Sequence, residues 1–233
     1  MTKFHRSENC KKCIECNTRT PLFKHLTRDE LLTLNDQRYE VKFRKGEIIF
    51  KQGMPANHLI SITSGFVKIY VEGIRDRNII LELVKPWQVF GGPGIYVDNR
   101  YHYSSMALED TTACFIDTKN VKKLIRQNPD FAEDFIESCS NRNARLLDRM
   151  VSLTQKQMHG RIADALLYLK DVNQSAVFNL MISKQDLADL TSMTRDSAIR
   201  ILKEFQQDNI IDMQNREMKI LDLDKLEEIS FHG

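Results

Sequence analysis

The sequence lacks any long apolar run. No stretch approaches the roughly 18 consecutive apolar residues that a helix needs to cross a bilayer, although 42% of the 233 residues are hydrophobic. The first nine residues, Met1–Asn9, also lack the apolar segment of a secretory signal peptide. These absences predict a globular cytoplasmic protein with no membrane partner.

An excess of positive charge is also missing. The formal net charge is only +2, so binding to nucleic acid would have to depend on a local patch. Even Ser183–Leu221, which carries two short amphipathic helices, has six basic residues against seven acidic ones. If this segment binds DNA, we expect basic residues upstream of it to contribute charge. These are Arg142, Arg145, Arg149, Lys156 and Arg161.

Cysteines are few, but three of the five are clustered. Cys10, Cys13 and Cys16 form two successive Cys-x-x-Cys steps, which place three soft sulfur ligands close enough to bind one metal ion or cluster. In a cytoplasmic protein an odd number of cysteines favours thiols or metal ligands over disulfides. The segment has no fourth cysteine, so a further ligand would come from Cys114, Cys139 or a histidine. The alternative is that these cysteines have no role.

Clustered histidines are absent as well. No His-x-His motif occurs, and His58 and His102 are isolated. A metalloenzyme built on a β-roll needs clustered histidine and carboxylate ligands, and an iron–sulfur electron carrier would need the missing local cysteine. These absences disfavour both classes, so we do not expect an enzyme.

Short strands separated by glycine or proline extend from Tyr39 to about Ile116. Their alternating apolar residues and regular turns predict a small antiparallel barrel or roll. Within it, Val89–Ile95 contains three glycines and one proline. Such a turn can bring backbone N–H groups close to a ligand, or it can be a tight structural turn only.

A long amphipathic helix is predicted over Asp130–Leu153, after a short helix that starts at Val121. Its apolar stripe suits a helix that packs on one surface and keeps one side in solvent. That surface is either the chain's own core or the same helix in a second copy. We expect Cys139 to be a buried thiol. The residues of the stripe are Phe135, Cys139, Leu146, Met150 and Leu153.

Two short helices joined by a turn follow a helix at Gln157–Val172. Ser183 can cap the first, with Asp186 in its first turn, and Thr194 can cap the second after a turn at Thr191–Met193. The second helix buries residues at helical spacing, so the pair is typical of a helix-turn-helix whose second helix enters the DNA major groove. The buried positions are Ala198, Ile201, Leu202 and Phe205. Two strands around Gln214–Glu217 then predict the wing of a winged helix.

This order of elements resembles the CRP/FNR superfamily of bacterial transcription regulators. The resemblance covers residues 20–233 and is carried by Lys45–Gly53, Leu59–Ile69 and Leu81–Gly91 together with the helix-turn-helix. It implies an α+β fold with a cyclic-nucleotide-binding-like β-roll (jelly-roll), a long dimerisation helix and a C-terminal winged helix-turn-helix. The implied domains are a Cys-rich arm at 1–20, the roll at 21–127, the helix at 128–153 and the DNA-binding domain at 154–233.

The resemblance also implies a homodimer on a palindromic operator, with recognition helices about 34 Å apart, and RNA polymerase as a further partner. Arg195 and Arg200 match the family's guanine readers, each worth roughly 1–3 kcal/mol of discrimination. Asp196 would accept from a cytosine amine or compensate the helix charge, and Ile199 could contact a thymine methyl. Thr194 and Ser197 would hold phosphates or cap the helix. The full set of DNA-binding candidates is Ser183, Lys184, Thr194, Arg195, Asp196, Ser197, Ile199 and Arg200.

Departures from the family concern the effector. Members that bind cyclic nucleotides carry a Gly-Glu pair in the roll and, further on, an Arg before Ser or Thr. Here the corresponding segments are Phe90–Gly94 and Tyr101–Ser105, so we do not expect cAMP. A small molecule in the roll would be expected at Gly91, Gly92, Gly94, Tyr103 and Ser104.

The family's oxygen-sensing branch is similar to this chain at its cysteines. Those proteins hold a [4Fe–4S] cluster with three N-terminal cysteines and one at the end of the roll, where Cys114 falls. Cys13 and Cys16 match the first pair, but Thr20–Leu22 occupies the region of the third, so Cys10 would replace it. The resemblance thus implies a cluster at Cys10, Cys13, Cys16 and Cys114, with oxygen, nitric oxide or redox state as the signal. Zinc, haem or no ligand are the alternatives.

Overall fold

The computed structural model describes residues 20–74, 77–91 and 94–233. Contacts divide the chain into two units. The first unit contains the described residues up to Glu72 together with Glu82–Asn143, and the second contains the described residues of Gly73–Leu81 together with Ala144–Gly233. Four predicted site residues lie outside the described residues, namely Cys10, Cys13, Cys16 and Gly92.

The helices follow a short 3-10 helix at Pro21–Phe23. In chain order they are α1 (Arg28–Asn35), α2 (Gly94–Val97), α3 (Thr118–Gln127), α4 (Pro129–Gln155), α5 (Met158–Asn173), α6 (Lys184–Thr191), α7 (Arg195–Gln207) and α8 (Leu223–His232).

The strands belong to three sheets. In chain order they are β1 (Tyr39–Phe43), β2 (Ile48–Phe50), β3 (His58–Ser64), β4 (Val67–Val71), β5 (Ile79–Val84), β6 (Val89–Phe90), β7 (Ser104–Ala107), β8 (Thr111–Asp117), β9 (Val177–Asn179), β10 (Ile211–Gln214) and β11 (Glu217–Ile220).

Two four-stranded sheets form the predicted β-roll, with strand orders β1-β8-β3-β6 and β2-β7-β4-β5. Strand β8 lies between β1 and β3 and is antiparallel to both, so that Cys114 pairs with Glu40 on one side and with Ser61 on the other. The roll predicted from the strand pattern is therefore confirmed, as is the α+β class.

Helices pack against one face of the sheet β1-β8-β3-β6. Helix α1 starts at a capping box, in which Glu30 Oε2 accepts from the N–H of Thr27 at 2.8 Å. This hydrogen bond lowers the pKa of the Glu30 carboxyl. The core on this face joins the sheet to the helices through Leu22, Phe23, Leu31, Leu34, Leu59, Val89, Ile116, Val121, Leu124, Phe131 and Phe135.

Phe135 corrects the predicted dimer stripe. Its side chain is only 8% exposed and its ring lies 6.4 Å from that of Phe131, within the core of the first unit. Cys139 packs against the same core but is half-buried, so it is less enclosed than the buried thiol that was predicted. At this end the stripe meets the chain's own core, which is one of the two surfaces that the helical pattern left open. Next to Phe135, Ile136 is the side chain that faces solvent.

The second unit contains the predicted winged helix-turn-helix. Strands β10 and β11 form the expected hairpin, and β9 adds a third strand in the order β10-β11-β9. The sequence did not predict β9, because three residues are too few to recognise as a strand, although their burial does alternate. Helix α6 extends through Thr191, so the turn begins at Ser192, whose φ of 52° ends the helix in the left-handed region.

Within the described residues, no helix is both long and apolar enough to span a membrane.

Candidate nucleic-acid interface and cysteine site

Both helices of the helix-turn-helix begin at caps that the sequence predicted. Asp186 Oδ2 accepts from the Ser183 N–H at 2.8 Å, and the Asp186 N–H donates to Ser183 Oγ at 3.0 Å. Thr194 Oγ1 accepts from the Ser197 N–H at 3.2 Å. These bonds satisfy backbone donors at the start of α6 and α7. The capping roles of Ser183 and Thr194 are therefore confirmed, while their contacts with DNA stay predictions.

Helix α7 presents two contrasting faces. Ala198, Ile201, Leu202 and Phe205 are buried, as predicted. Arg195, Asp196 and Arg200 are exposed, whereas Ser197 and Ile199 are half-buried. The predicted base-reading side chains therefore share the side of the helix that faces away from the core.

A cleft of about 310 Å³ opens beside this face. Lys184 from the start of α6, Arg195 from the start of α7 and Arg216 from the tip of the wing all line it. Three cations around one cleft, next to the N-terminus of a helix, suit a phosphate backbone. Sequence reasoning missed Arg216, although its position at the polar tip of a predicted wing was an available signal.

Three of the upstream basic residues are engaged within the second unit, and their contribution to DNA binding stays a prediction. Arg149 Nη2 donates to the Leu190 carbonyl near the end of α6. Arg161 Nη1 donates to the Thr191 carbonyl at 3.5 Å, and Lys156 Nζ lies 2.7 Å from Asp164 Oδ1. Arg149 and Arg161 thus satisfy carbonyls at the C-terminus of α6. Lys156 is neutralised by a carboxylate.

Arg142 has a partner in the first unit. Its Nε donates to Glu82 Oε2 at 2.7 Å and its Nη2 donates to the Val89 carbonyl at 2.9 Å. Burial opposes its charge, but the Glu82 carboxylate more than compensates and raises the pKa of Arg142. The expectation that Arg142 provides positive charge for DNA is therefore wrong.

The predicted effector pocket is closely packed. The N–H of Gly91 donates to the Tyr103 hydroxyl at 2.8 Å, and burial raises the pKa of Tyr103. Phe50 is stacked on Tyr101, with ring centroids 3.7 Å apart. The Phe50 centroid also lies 5.8 Å from that of Phe90 and 5.8 Å from that of Tyr103. Side chains of the chain itself therefore occupy this part of the roll.

Gly94 and Ser104 have structural roles there. A Cβ at Gly94 would lie 1.7 Å from the Arg100 carbonyl oxygen, which explains the glycine without a ligand. Ser104 is fully buried, and its Oγ donates to Glu72 Oε1 at 2.8 Å and accepts from the Gln52 N–H at 2.9 Å. Contrary to the prediction, Ser104 has no surface to offer a ligand.

Cys114 is 5% exposed and lies on β8. Arg38 Nη1 donates to its Sγ at 2.8 Å, and its Sγ is 3.9 Å from Glu40 Oε2. Because side chains alternate along a strand, Cys114 is on the same sheet face as Ile116. That face meets Leu22 and Phe23, among the first described residues. Leu22 and Phe23 therefore pack on the side of the sheet where Cys114 lies.

Metal ligands other than Cys114 were predicted in the N-terminal segment. Within residues 20–74, 77–91 and 94–233, no three His, Cys, Asp or Glu side chains are grouped so that they could hold a metal ion. Cys139 is half-buried on the core, and burial raises the pKa of its thiol. The described part of the chain thus contributes one candidate ligand, Cys114.

Two family models match the chain. Residues 40–128 match the cyclic nucleotide-binding domain and residues 160–229 match the Crp-like helix-turn-helix domain. Together these regions make up more than half of the sequence. They coincide with the β-roll and with the winged helix-turn-helix of the structure.

Curated proteins and solved structures agree with these matches. The chain is 22% identical over 217 residues to the CRP-like cAMP-activated global transcriptional regulator of Mycobacterium tuberculosis, covering 91% of this chain and 97% of that protein. It is 24% identical over 220 residues to the transcriptional activator protein Anr of Pseudomonas aeruginosa, covering 92% and 89%. The structure of FixK2 from Bradyrhizobium japonicum shares the fold, with a TM-score of 0.74, 20% identity and coverage of 82% and 96%. With a β-roll and a Crp-like helix-turn-helix in this order, the chain belongs to the CRP/FNR family of transcription regulators.

Proposed function

We propose that this regulator responds to oxygen, nitric oxide or redox state through a [4Fe–4S] cluster held by Cys10, Cys13, Cys16 and Cys114, and that it binds a palindromic operator as a homodimer. The observation that carries the sensor proposal is the position of Cys114. It lies on the sheet face that packs against Leu22 and Phe23, near the start of the described residues.

The donor chemistry fits a cluster. Four thiolates are the usual ligand set of a [4Fe–4S] cluster. In the sequence, only three residues separate Cys16 from Thr20, the first described residue. The guanidinium of Arg38 donates to the Cys114 sulfur. A hydrogen bond of this kind orients a side chain for metal binding.

A cyclic nucleotide in the roll is less compatible with the packing. Its phosphate would need a free backbone amide and an unpaired cation. The Gly91 amide is bonded to Tyr103, and Arg142 is paired with Glu82. These contacts support a signal that arrives outside the predicted pocket.

The residues of the first unit offer a route from Cys114 to α4. A bound cluster supplies a centre that reacts with oxidants or nitric oxide. Two residues after Cys114, Ile116 packs in the same core as Phe131 and Phe135 of α4. A change at β8 can therefore favour one arrangement of α4 over another, as a population shift requires.

Dimerisation is proposed through the solvent-facing residues of α4. Leu147, Met150 and Val151 are large apolar side chains exposed by 55%, 61% and 48%. Leu146 and Leu153 are half-buried beside them. A second copy of the helix would cover this surface, and symmetry would then pair two recognition helices with two operator half-sites.

DNA readout is proposed on the exposed face of α7. Arg195 and Arg200 would bind guanine O6 and N7, Asp196 would accept from a cytosine amine and Ile199 would contact a thymine methyl. Lys184 and Arg216 would contact phosphates from the two sides of the cleft. RNA polymerase is the proposed protein partner at the promoter.

Metal analysis of protein purified without oxygen tests the sensor proposal. We expect a coloured protein with about four iron atoms and four acid-labile sulfides per chain. Cys13→Ala and Cys114→Ala should lose both, whereas the matched control Cys139→Ala should keep them. A colourless, iron-free wild-type protein would refute the cluster, and zinc or a haem Soret band would identify one of the alternatives.

A further inference from the structure

The recognition helix carries a carboxylate that is bound from two sides. Glu204 Oε1 accepts from Arg200 Nη1 at 2.5 Å, one turn earlier on α7. Glu204 Oε2 lies 2.7 Å from His159 Nε2 on α5. Arg200 is thus linked through Glu204 to a different helix of the second unit.

His159 is itself held against the core. Its ring centroid is 6.0 Å from that of Phe205, which lies on the buried face of α7. The next residue, Gly160, is buried as well. The hydrogen bond with His159 is the main cause that lowers the pKa of Glu204, with a further contribution from Arg200. Glu204 is therefore ionised at neutral pH and fixed with respect to the body of the unit.

The two proposed guanine readers, Arg195 and Arg200, differ in whether another side chain binds their guanidinium group. Arg195 makes no ion pair or side-chain hydrogen bond to other described residues, and it lines an open cleft. Arg200 has one guanidinium N–H committed to Glu204, which leaves the other donors free. A guanidinium that another side chain already holds in place loses less rotamer freedom on binding a base edge than a guanidinium that no side chain holds.

We propose that Glu204 is a positioning residue for base readout, which holds the Arg200 guanidinium in a fixed direction while His159 holds Glu204. This inference rests on the proposed role of Arg200 as a guanine reader. The opposite effect is also physically conceivable: Glu204 could compete with DNA for Arg200 and repel phosphates. The two effects differ in what the loss of Glu204 does to selectivity.

The test begins with the preferred operator, selected from random DNA with the full wild-type chain. Dissociation constants for this operator and for every single-base-pair variant of one half-site are then measured at one salt concentration. The variants are Glu204→Ala, Glu204→Gln, His159→Ala, Arg200→Ala and the double variant of Arg200→Ala with Glu204→Ala. Glu227→Ala on α8 is the matched control, since Glu227 is an exposed carboxylate on another helix of the same unit.

Glu204→Ala should reduce discrimination about five- to tenfold at the base pair that Arg200→Ala also affects, and at no other. Glu204→Gln, which keeps an acceptor, should recover part of it. His159→Ala should have a smaller effect of the same kind, the double variant should equal Arg200→Ala alone, and Glu227→Ala should leave discrimination unchanged.

Three results would contradict the inference. Discrimination that is unchanged in Glu204→Ala, with tighter binding to all sequences, would show that Glu204 masks Arg200. Unchanged discrimination and affinity would show that the ion pair has no part in readout. If Arg200→Ala itself leaves discrimination intact, the proposed guanine reader is wrong, and this outcome is distinct from a failure of Glu204 alone.

Discussion

Two buried arginines, seven residues apart on α4, are stabilised in different ways. Arg142 in the first unit has a carboxylate partner, Glu82, and its pKa is raised. Arg149 in the second unit is bonded to the Leu190 carbonyl, its Nε has no hydrogen-bond partner, and burial lowers its pKa. The first unit thus compensates its buried charge almost fully, whereas the second unit carries a charge with little compensation. Replacing each of these two arginines by the same residue should therefore change stability by different amounts.

The largest effect is expected for Arg142→Met. This change removes Arg142 from the buried carboxylate of Glu82, so it should lower the free energy of unfolding of the first unit by about 3–5 kcal/mol. Urea unfolding followed by the fluorescence of Trp87, the single tryptophan, reports on this unit. The double variant Arg142→Met with Glu82→Leu should recover most of the loss. A loss below about 1 kcal/mol in the single variant would show that the pair is not buried as described.

Arginines on the surface of the second unit should affect binding and not stability. Arg195→Ala should cost about 1–3 kcal/mol of discrimination at one base pair, because a bidentate contact with guanine is lost. Lys203→Ala, on the same helix, is the control: it should weaken binding to all sequences alike. Equilibrium titrations with the selected operator and its variants measure both effects. An unchanged sequence preference in Arg195→Ala would remove Arg195 from the readout set.

Capping boxes allow a second comparison between the units. Ser183→Ala and Thr27→Ala should each cost about 1 kcal/mol of stability, since each leaves a helix N-terminal N–H without its acceptor. Ser183→Ala should cause the larger loss of stability, because Asp186, the partner of Ser183 in the capping box, is buried. Thr27 and Glu30 are at an exposed helix start. Thermal unfolding of both variants shows which one loses more stability. A larger loss for Thr27→Ala than for Ser183→Ala would contradict this expectation.

The smallest effect is expected for Arg149→Met. It removes a poorly compensated buried charge and also one hydrogen bond to the end of α6, and these contributions oppose each other. The change in stability should stay within about 1 kcal/mol. Urea unfolding of both variants, followed by circular dichroism at the same urea concentrations, gives the ratio of their losses in free energy of unfolding. A loss as large as that of Arg142→Met would mean that the two arginines are equivalent after all.

Local rules explain which elements the sequence predicted well. The caps at Ser183 and Thr194, the buried face of α7 and the wing hairpin depend on residues close together in the chain, and the structure has them all. The alternating strands of the roll were recognised for the same reason. Strand β9 escaped prediction because it is only three residues long.

Tertiary partners explain the errors. Phe135 fits an apolar stripe equally well whether it meets a second chain or its own core, and the structure places it in the core. Arg142 and Arg149 look like surface charges until Glu82 and the Leu190 carbonyl are known to contact them. The pair of Glu204 with His159 could not be ranked from the sequence, because its importance arises from a contact between residues far apart in the chain.

The central claim is that occupancy at the four cysteines controls the affinity of α7 for its operator. The most direct test compares one anaerobic preparation before and after exposure to air, with cluster absorbance and operator affinity measured on the same samples. We expect the affinity to change at least about tenfold as the absorbance is lost, Cys139→Ala to behave like the wild type, and Cys114→Ala to show no response to air. Equal affinities of the cluster-loaded and cluster-free protein would contradict the account.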